Sequence, residues 1–171
     1  MLAGMYRIGQ GYDSHRLVPG RPLVLAGVPF DHELGLAGHS DADVVFHAVT
    51  DAVLGAVAAG DIGEHFPDSD PRWAGAGSGQ FLLEAVRLAR EAGYDVCNCD
   101  VTVLAERPRL GAHKSGMRAN LAGALGCEAA AVSVKAKTNE QMGAVGRGEG
   151  ISAQAVVLLR RRTGSDDAST G

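Results

Sequence analysis

The chain has 171 residues, with 16 Lys or Arg set against 20 Asp or Glu, for a formal charge of −4. That length suits a single domain with a sizeable core, and the charge excludes a basic nucleic-acid stripe, so an anionic ligand must be held by local groups or metal ions. No apolar run is long enough to span a membrane, the start MLAGMYRIG lacks a signal-peptide core, and the three cysteines fit buried reduced thiols, so a cytoplasmic protein is expected.

Taken in order, Tyr6 to Gly9 reads as a short strand entering a glycine-bearing turn, GQGYDSHRL. Pro22 to Val28 offers a second strand. Ser40 then stands in S-x-x-D before a Val- and Ala-rich run, which predicts a largely buried helix over Asp41–Ala59, capped by Ser40, answered by Asp43 and closed by Gly60. One polar line crosses it: Asp43, His47 and Asp51 at i, i+4 and i+8 share a face, which a buried helix carries only if that face meets something polar. The run DIGEHFPDSDPRWAGAGSG is loop by composition, with AGAGSG as its mobile part. A helix over Phe81–Ala92 stops at Gly93. Tyr94–Ala105 alternates as a strand, ERPRLG turns the chain, and His113–Leu125 is a helix ended by Gly126. Val132–Lys137 and Ile151–Arg160 are strands either side of the glycine-rich TNEQMGAVGRGEG. The alternation predicts an α/β fold, a single-domain sandwich of one mixed, mainly four-stranded sheet packed against helices over residues 1–160, with a polar, disordered tail over 161–171.

Two constellations carry chemistry. Asp13 and His15, at i and i+2, project to one side of an extended segment. With His47 they give two imidazoles and a carboxylate, a set that suits Zn²⁺ and leaves a fourth position open. Asp43 and Asp51, one turn either side of His47, are candidates to hold its second ring nitrogen. A surface DSH turn plus an unrelated buried histidine fits the same spacing. For anions, His39 and Ser40 sit at a helix start, and Glu140 in the loop beginning at Thr138 offers oxygen to a hard cation such as Mg²⁺. Asp61, Asp68 and Asp70 suit polyol hydroxyls, or are solvated turn residues.

The ordered set G-Y-D-S-H, A-G-H-S-D-A-D-V-V-F-H-A-V-T-D-A, G-D-I-G-E-H-F-P-D-S-D-P, A-E-R-P-R-L, T-N-E and G-R-G-E-G resembles the 2-C-methyl-D-erythritol 2,4-cyclodiphosphate synthase family across residues 6 to 160. The resemblance implies a homotrimer with active sites at subunit boundaries. It also implies a cytidine diphosphate-linked substrate that is cyclised with release of CMP in non-mevalonate isoprenoid synthesis. It assigns Zn²⁺ to Asp13, His15 and His47, with Ser14 beside them against substrate, and Mg²⁺ or Mn²⁺ to Glu140. His39 and Thr138 become transition-state stabilisers, and His39 and Ser40 orient phosphate. Asp61, Ile62 and Gly63 surround the methylerythritol unit, together with Phe66, Pro67, Asp68, Ser69 and Asp70. Ala105, Pro108, Arg109, Leu110 and Gly111 cradle cytosine. Lys137 and Asn139 flank Thr138 near the diphosphate, where small hydroxyl residues are frequent in the family.

Ala42 stands where the family commonly has glycine, a change a helical start should tolerate. Ala144 replaces a frequent aromatic lining a central cavity that binds isoprenoid diphosphates, leaving Arg147 for the phosphate end. The competing readings are a zinc phosphodiesterase on the same residues and a non-enzymatic trimer binding isoprenoid phosphates around Arg147 and Glu149.

Overall fold

The computed structural model describes residues 4–67, 69–73 and 75–163. Its centre is a five-stranded mixed sheet, ordered β4-β1-β7-β5-β6. The strands are β1 (Tyr6–Pro19), β4 (Leu34–Leu36), β5 (Tyr94–Leu104), β6 (Val132–Lys137) and β7 (Gly150–Arg161). Neighbours run antiparallel except β5 and β6, which are parallel. A separate hairpin joins β2 (Leu23–Leu25) to β3 (Val28–Phe30) through Ala26 and Gly27, both with positive φ (50° and 70°), as a two-residue primed turn requires. The sheet thus has five strands, not mainly four, because the three-residue β4 extends its edge.

Helices α1 (Val44–Ala56), α3 (Gly79–Glu91) and α4 (Lys114–Leu125) cover one face. The two remaining helices, α2 (Ile62–His65) and α5 (Gly143–Gly146), are single turns inside the predicted loops. The segment expected to turn at GQGYDSHRL instead continues β1. Its glycines permit close packing rather than a bend: a Cβ on Gly9 would lie 1.8 Å from the Ala52 carbonyl oxygen, and one on Gly11 1.9 Å from that of Ala48. The backbone of α1 therefore rests directly on the strand. Residues alternate across a strand, so Asp13 and His15 continue the face of Gly9 and Gly11 and meet the next part of α1.

Helix α1 begins later than Ser40 predicts. Its N-cap is Asp43, whose Oδ1 accepts from the amides of Val45 and Phe46. The same carboxylate accepts from Ala26 (2.8 Å) and Gly27 (2.7 Å), tying the hairpin turn to the helix start. Ala42 precedes it at φ 58°, a left-handed conformation that favours glycine and that the expected helical start would not impose. The far end also stops early: α1 ends at Ala56, three residues short of the predicted Ala59, and Ala58 takes positive φ.

Among the described residues, no helix covers the opposite sheet face. Tyr6, Ile8, Tyr12 and Val156 stand there 50%, 72%, 53% and 46% exposed. At the C-terminal end the strand passes the expected boundary, since Arg161 pairs with Tyr94 and Arg162 donates to the Gly93 carbonyl. Residues 164–171 of the predicted tail lie outside the described residues.

Candidate metal centre and substrate cavity

The three side chains singled out by spacing converge. His47 Nδ1 and His15 Nε2 each lie 2.9 Å from Asp13 Oδ2, and 3.1 Å from one another. Among the described residues they form the group whose ligand atoms gather closely enough to hold a metal. Three donors on a Zn²⁺ at its usual bond lengths of roughly 2.0–2.2 Å would stand about 3.3 Å apart, so the observed triangle needs only a small expansion. Burial works to raise the Asp13 carboxyl pKa. The hydrogen bonds and charges of His15 and His47 nevertheless hold it well below the ordinary carboxylate range. Burial lowers the His15 pKa, but Asp13 more than compensates and the net shift is upward. Two nitrogens and an anionic oxygen facing a common point form a donor set complementary to a divalent cation.

The second nitrogen of His47 does not meet Asp43 or Asp51. It lies 2.7 Å from Ser78 Oγ and 3.2 Å from Ser40 Oγ. Asp43 is occupied with the cap and hairpin, and Asp51 accepts from the Ile62 amide at 2.8 Å. The polar line on α1 does meet polar partners, but each of its residues has a different one. Ser78, at the start of α3, gave no sequence signal because it closes the glycine-rich AGAGSG stretch.

The triad forms one wall of a cavity of about 370 Å³. His39 and Ser40 border it, and Ile62, Gly63, Phe66 and Pro67 form the side supplied by α2 and the chain after it. Trp73 and Phe81 also line it, unpredicted. Aromatics make up 5% of the chain, yet Phe66 and Phe81 stack with centroids 4.5 Å apart and Trp73 meets both edge-on. Their occurrence in one short stretch of an aromatic-poor chain is the signal the sequence carries. Asp61 caps α2 by accepting from Glu64. Asp70 instead holds Arg72 at 2.5 Å, and neither Asp70 nor Ser69 lines the cavity. Asp68 lies outside the described residues. Ser14 points to the opposite face of β1 and leaves the cavity to Asp13 and His15.

The remaining predicted residues gather elsewhere. Ala105, Pro108, Arg109, Leu110, Gly111, Lys137 and Thr138 line a second recess of about 260 Å³, joined by Lys114 and Ala136. It shares no lining residue with the first. The sheet register places it at the same end as the triad, since His15 pairs with Ile151 and Ser152 with Leu104, which pairs with Lys137. The separation is two to three strand spacings, about 10–14 Å. Thr138 donates to Glu140 Oε1 at 2.8 Å, and Glu106 Oε1 accepts from the amides of Asn139 and Gln141, fixing a turn in which Glu140 and Gln141 have positive φ. Glu106 was missed in sequence because its partners lie more than thirty residues away. Ala144 and Arg147 are exposed on α5 and just after it, with Arg147 paired to Glu149 at 2.6 Å.

The YgbB family profile matches residues 6–160. A relative from Cupriavidus metallidurans named 2-C-methyl-D-erythritol 2,4-cyclodiphosphate synthase is 61% identical over 158 residues, covering 92% of this chain and 94% of the relative. Among solved structures, a 2C-methyl-D-erythritol-2,4-cyclodiphosphate synthase in a CDP-bound form superposes with a TM-score of 0.83 at 40% identity, over 90% of this chain and 99% of that one. The IspF–CDP complex from Plasmodium falciparum gives 0.82 at 32% identity, over 92% and 97%.

Proposed function

The chain belongs to the YgbB family, and from that premise we propose that its metal triad and the Thr138 recess of a neighbouring subunit together perform the family's cyclisation. The reaction converts 4-diphosphocytidyl-2-C-methyl-D-erythritol 2-phosphate to 2-C-methyl-D-erythritol 2,4-cyclodiphosphate and CMP, a phosphorus–oxygen lyase step of the non-mevalonate isoprenoid pathway. The observation that carries the assignment of residues is the closure of Asp13, His15 and His47 into a triangle with edges of 2.9–3.1 Å beside a cavity of substrate size.

An oxygen of the 2-phosphate attacks the β-phosphorus, and the bond from that phosphorus to the CMP oxygen breaks, its electrons leaving with CMP. The nucleophile is already an anion, so no strong base is needed. The obstacles are repulsion between phosphates and the entropy of closing a ring. Zn²⁺ at the triad and Mg²⁺ or Mn²⁺ at Glu140 would supply Lewis-acid polarisation and charge neutralisation. The chain does the rest. His39 and the Thr138 hydroxyl donate to oxygens of the β-phosphoryl group as charge grows there. Ile62, Gly63, Phe66 and Pro67 enclose the methylerythritol unit, while Trp73 and Phe81 keep water from that wall. Ser40 orients phosphate, the Ala105–Gly111 turn takes cytosine against its backbone, and Lys137 adds positive charge at the rim.

A homotrimer supports this division of labour. One chain holds the two halves of the site as separate cavities, and the uncovered face bearing Tyr6, Ile8, Tyr12 and Val156 is an apolar patch suited to burial against copies of itself. Three free cysteines are consistent with a cytoplasmic setting. The test is incubation of purified protein with the cytidylated substrate in ¹⁸O-water, with and without chelator. CMP release that stops on chelation, with an unlabelled cyclic diphosphate, is expected; ¹⁸O in the sugar product would instead indicate hydrolysis.

A further inference from the structure

Ser78 breaks a local rule. It occupies the N-cap position of α3, where a serine hydroxyl ordinarily accepts from the first helical turn, yet its side chain makes no capping bond. The residue is completely buried, and its hydroxyl is committed elsewhere. It donates to Asp41 Oδ1 through a very short hydrogen bond, while its own amide donates to Asp41 Oδ2 at 3.1 Å. Its remaining neighbours are His47 Nε2 at 2.7 Å and Ser40 Oγ at 3.3 Å.

The direction of these bonds follows from the chemistry of the groups. The Ser78 amide and the Ser78 hydroxyl converge on the two oxygens of Asp41, so the Ser78 hydrogen points to that side chain and the lone pairs of Ser78 Oγ face Ser40 and His47. A lone pair facing a ring nitrogen requires an N–H there. With its proton held on Nε2, His47 can give up the Nδ1 hydrogen that faces Asp13 and present a lone pair there when a cation enters, at the atom shared with Asp13 and His15. Without the serine, the carboxylate of Asp13 at 2.9 Å would hold the last ring proton on Nδ1 and spoil the donor set.

We propose that Asp41 and Ser78 are positioning residues for the metal centre: a carboxylate–hydroxyl–imidazole relay that locks the tautomer and ring orientation of His47. The inference rests on the metal reading of the triad given above. It also gives a purpose to the left-handed Ala42, which lies between the relay carboxylate of Asp41 and the cap of Asp43 and lets two adjacent turns aim their side chains in different directions. Outer partners of this kind typically change metal affinity by roughly 10- to 100-fold when removed.

The test measures Zn²⁺ affinity by competition with a fluorescent chelator for the full chain and for Ser78→Ala, Ser78→Thr, Asp41→Asn and His47→Ala, together with the thermal midpoint of each metal-free protein. Ser78→Ala is expected to weaken Zn²⁺ binding roughly 10- to 100-fold. Ser78→Thr, which restores the hydroxyl, should recover most of that loss. Asp41→Asn, which keeps an acceptor but removes the charge, should fall between the two. Affinities of Ser78→Ala and Asp41→Asn within twofold of the parent, with His47→Ala losing tight binding, would overturn the relay and leave the metal site standing. A Ser78→Thr protein as weak as Ser78→Ala at an unchanged thermal midpoint would overturn it too, since the hydroxyl would then not be the cause. Unchanged binding in His47→Ala would overturn both readings. If Ser78→Ala does not fold, Asp41→Asn decides by the same criterion.

Discussion

The metal triad and the Thr138–Glu140 turn lie at one end of the same sheet and are built in opposite ways. The triad is assembled by one chain, from a strand and a helix whose backbones touch, and His47 is 9% exposed. The turn is exposed, held by Glu106 through two amides and by one bond from Thr138 to Glu140. A single subunit can thus hold a cation rigidly at the first place. At the second, on the proposed reading, it would offer one carboxylate and need further oxygens, such as those of a diphosphate. The contrast teaches where this protein's own core fixes side chains and where an exposed turn leaves them free to meet a ligand.

Changes on the rigid side should cost most. His47→Ala is expected to remove bound zinc and reduce turnover at least ~1000-fold while the protein remains folded, an outcome checked by metal analysis, circular dichroism and CMP release. Normal zinc content with normal turnover would falsify the ligand assignment. Gly11→Ala should do damage of another kind, because its Cβ has no room against the Ala48 carbonyl. A loss of about 3 kcal/mol or more in denaturant unfolding is expected, with metal affinity falling as α1 is pushed off the strand. Asp43→Ala leaves the Ala26 and Gly27 amides without their acceptor and removes the helix cap, for a loss of about 2–4 kcal/mol by the same measurement.

On the exposed side the effects should be smaller and should depend on ligand. Glu140→Gln is expected to leave stability within about 0.5 kcal/mol of the parent and to raise the Mg²⁺ or Mn²⁺ concentration needed for half-maximal turnover. An identical metal titration would remove Glu140 from the cation site. The mildest contrast is chemical. Burial pushes the Cys99 thiol up to about 12 from an ordinary 9.0. Because folding raises this pKa, the neutral thiol's contribution to stability is complete below pH 9 and is lost as pH climbs towards 12. A thiol reagent near pH 8 should therefore modify half-buried Cys97 and Cys127 well before Cys99, with the order erased in denaturant.

Much of the rigid region could be read in the sequence. Asp13 and His15 declare themselves by alternation, and His47 by being polar on an apolar helix. What escaped has physical causes. GQGYDSHRL looked like a turn because glycine is usually a statement about φ, whereas at Gly9 and Gly11 it is a statement about volume. Strand β4 is three residues long, too short to show a period, which is why a five-stranded sheet reads as four. The shift of the helix cap from Ser40 to Asp43 depends on a hairpin nearly twenty residues upstream and on the needs of His47, neither of which a local capping pattern contains. Ser78 and Glu106 act only across long sequence separations, so nothing near them in the chain announces a role. Separation of the two half-sites, likewise, is a property of strand order and not of motif order.

The contact at Gly9 and Gly11 has a consequence for anyone redesigning the molecule. Where peptide meets peptide with no side chain between, the distance from strand to helix is inherited from covalent geometry and is insulated from whatever fills the interior on the far side of the helix. Residues such as Leu82, Val86 and Leu121 could be exchanged for others of like volume to tune robustness, and the spacing of the cation's ligands should survive the renovation.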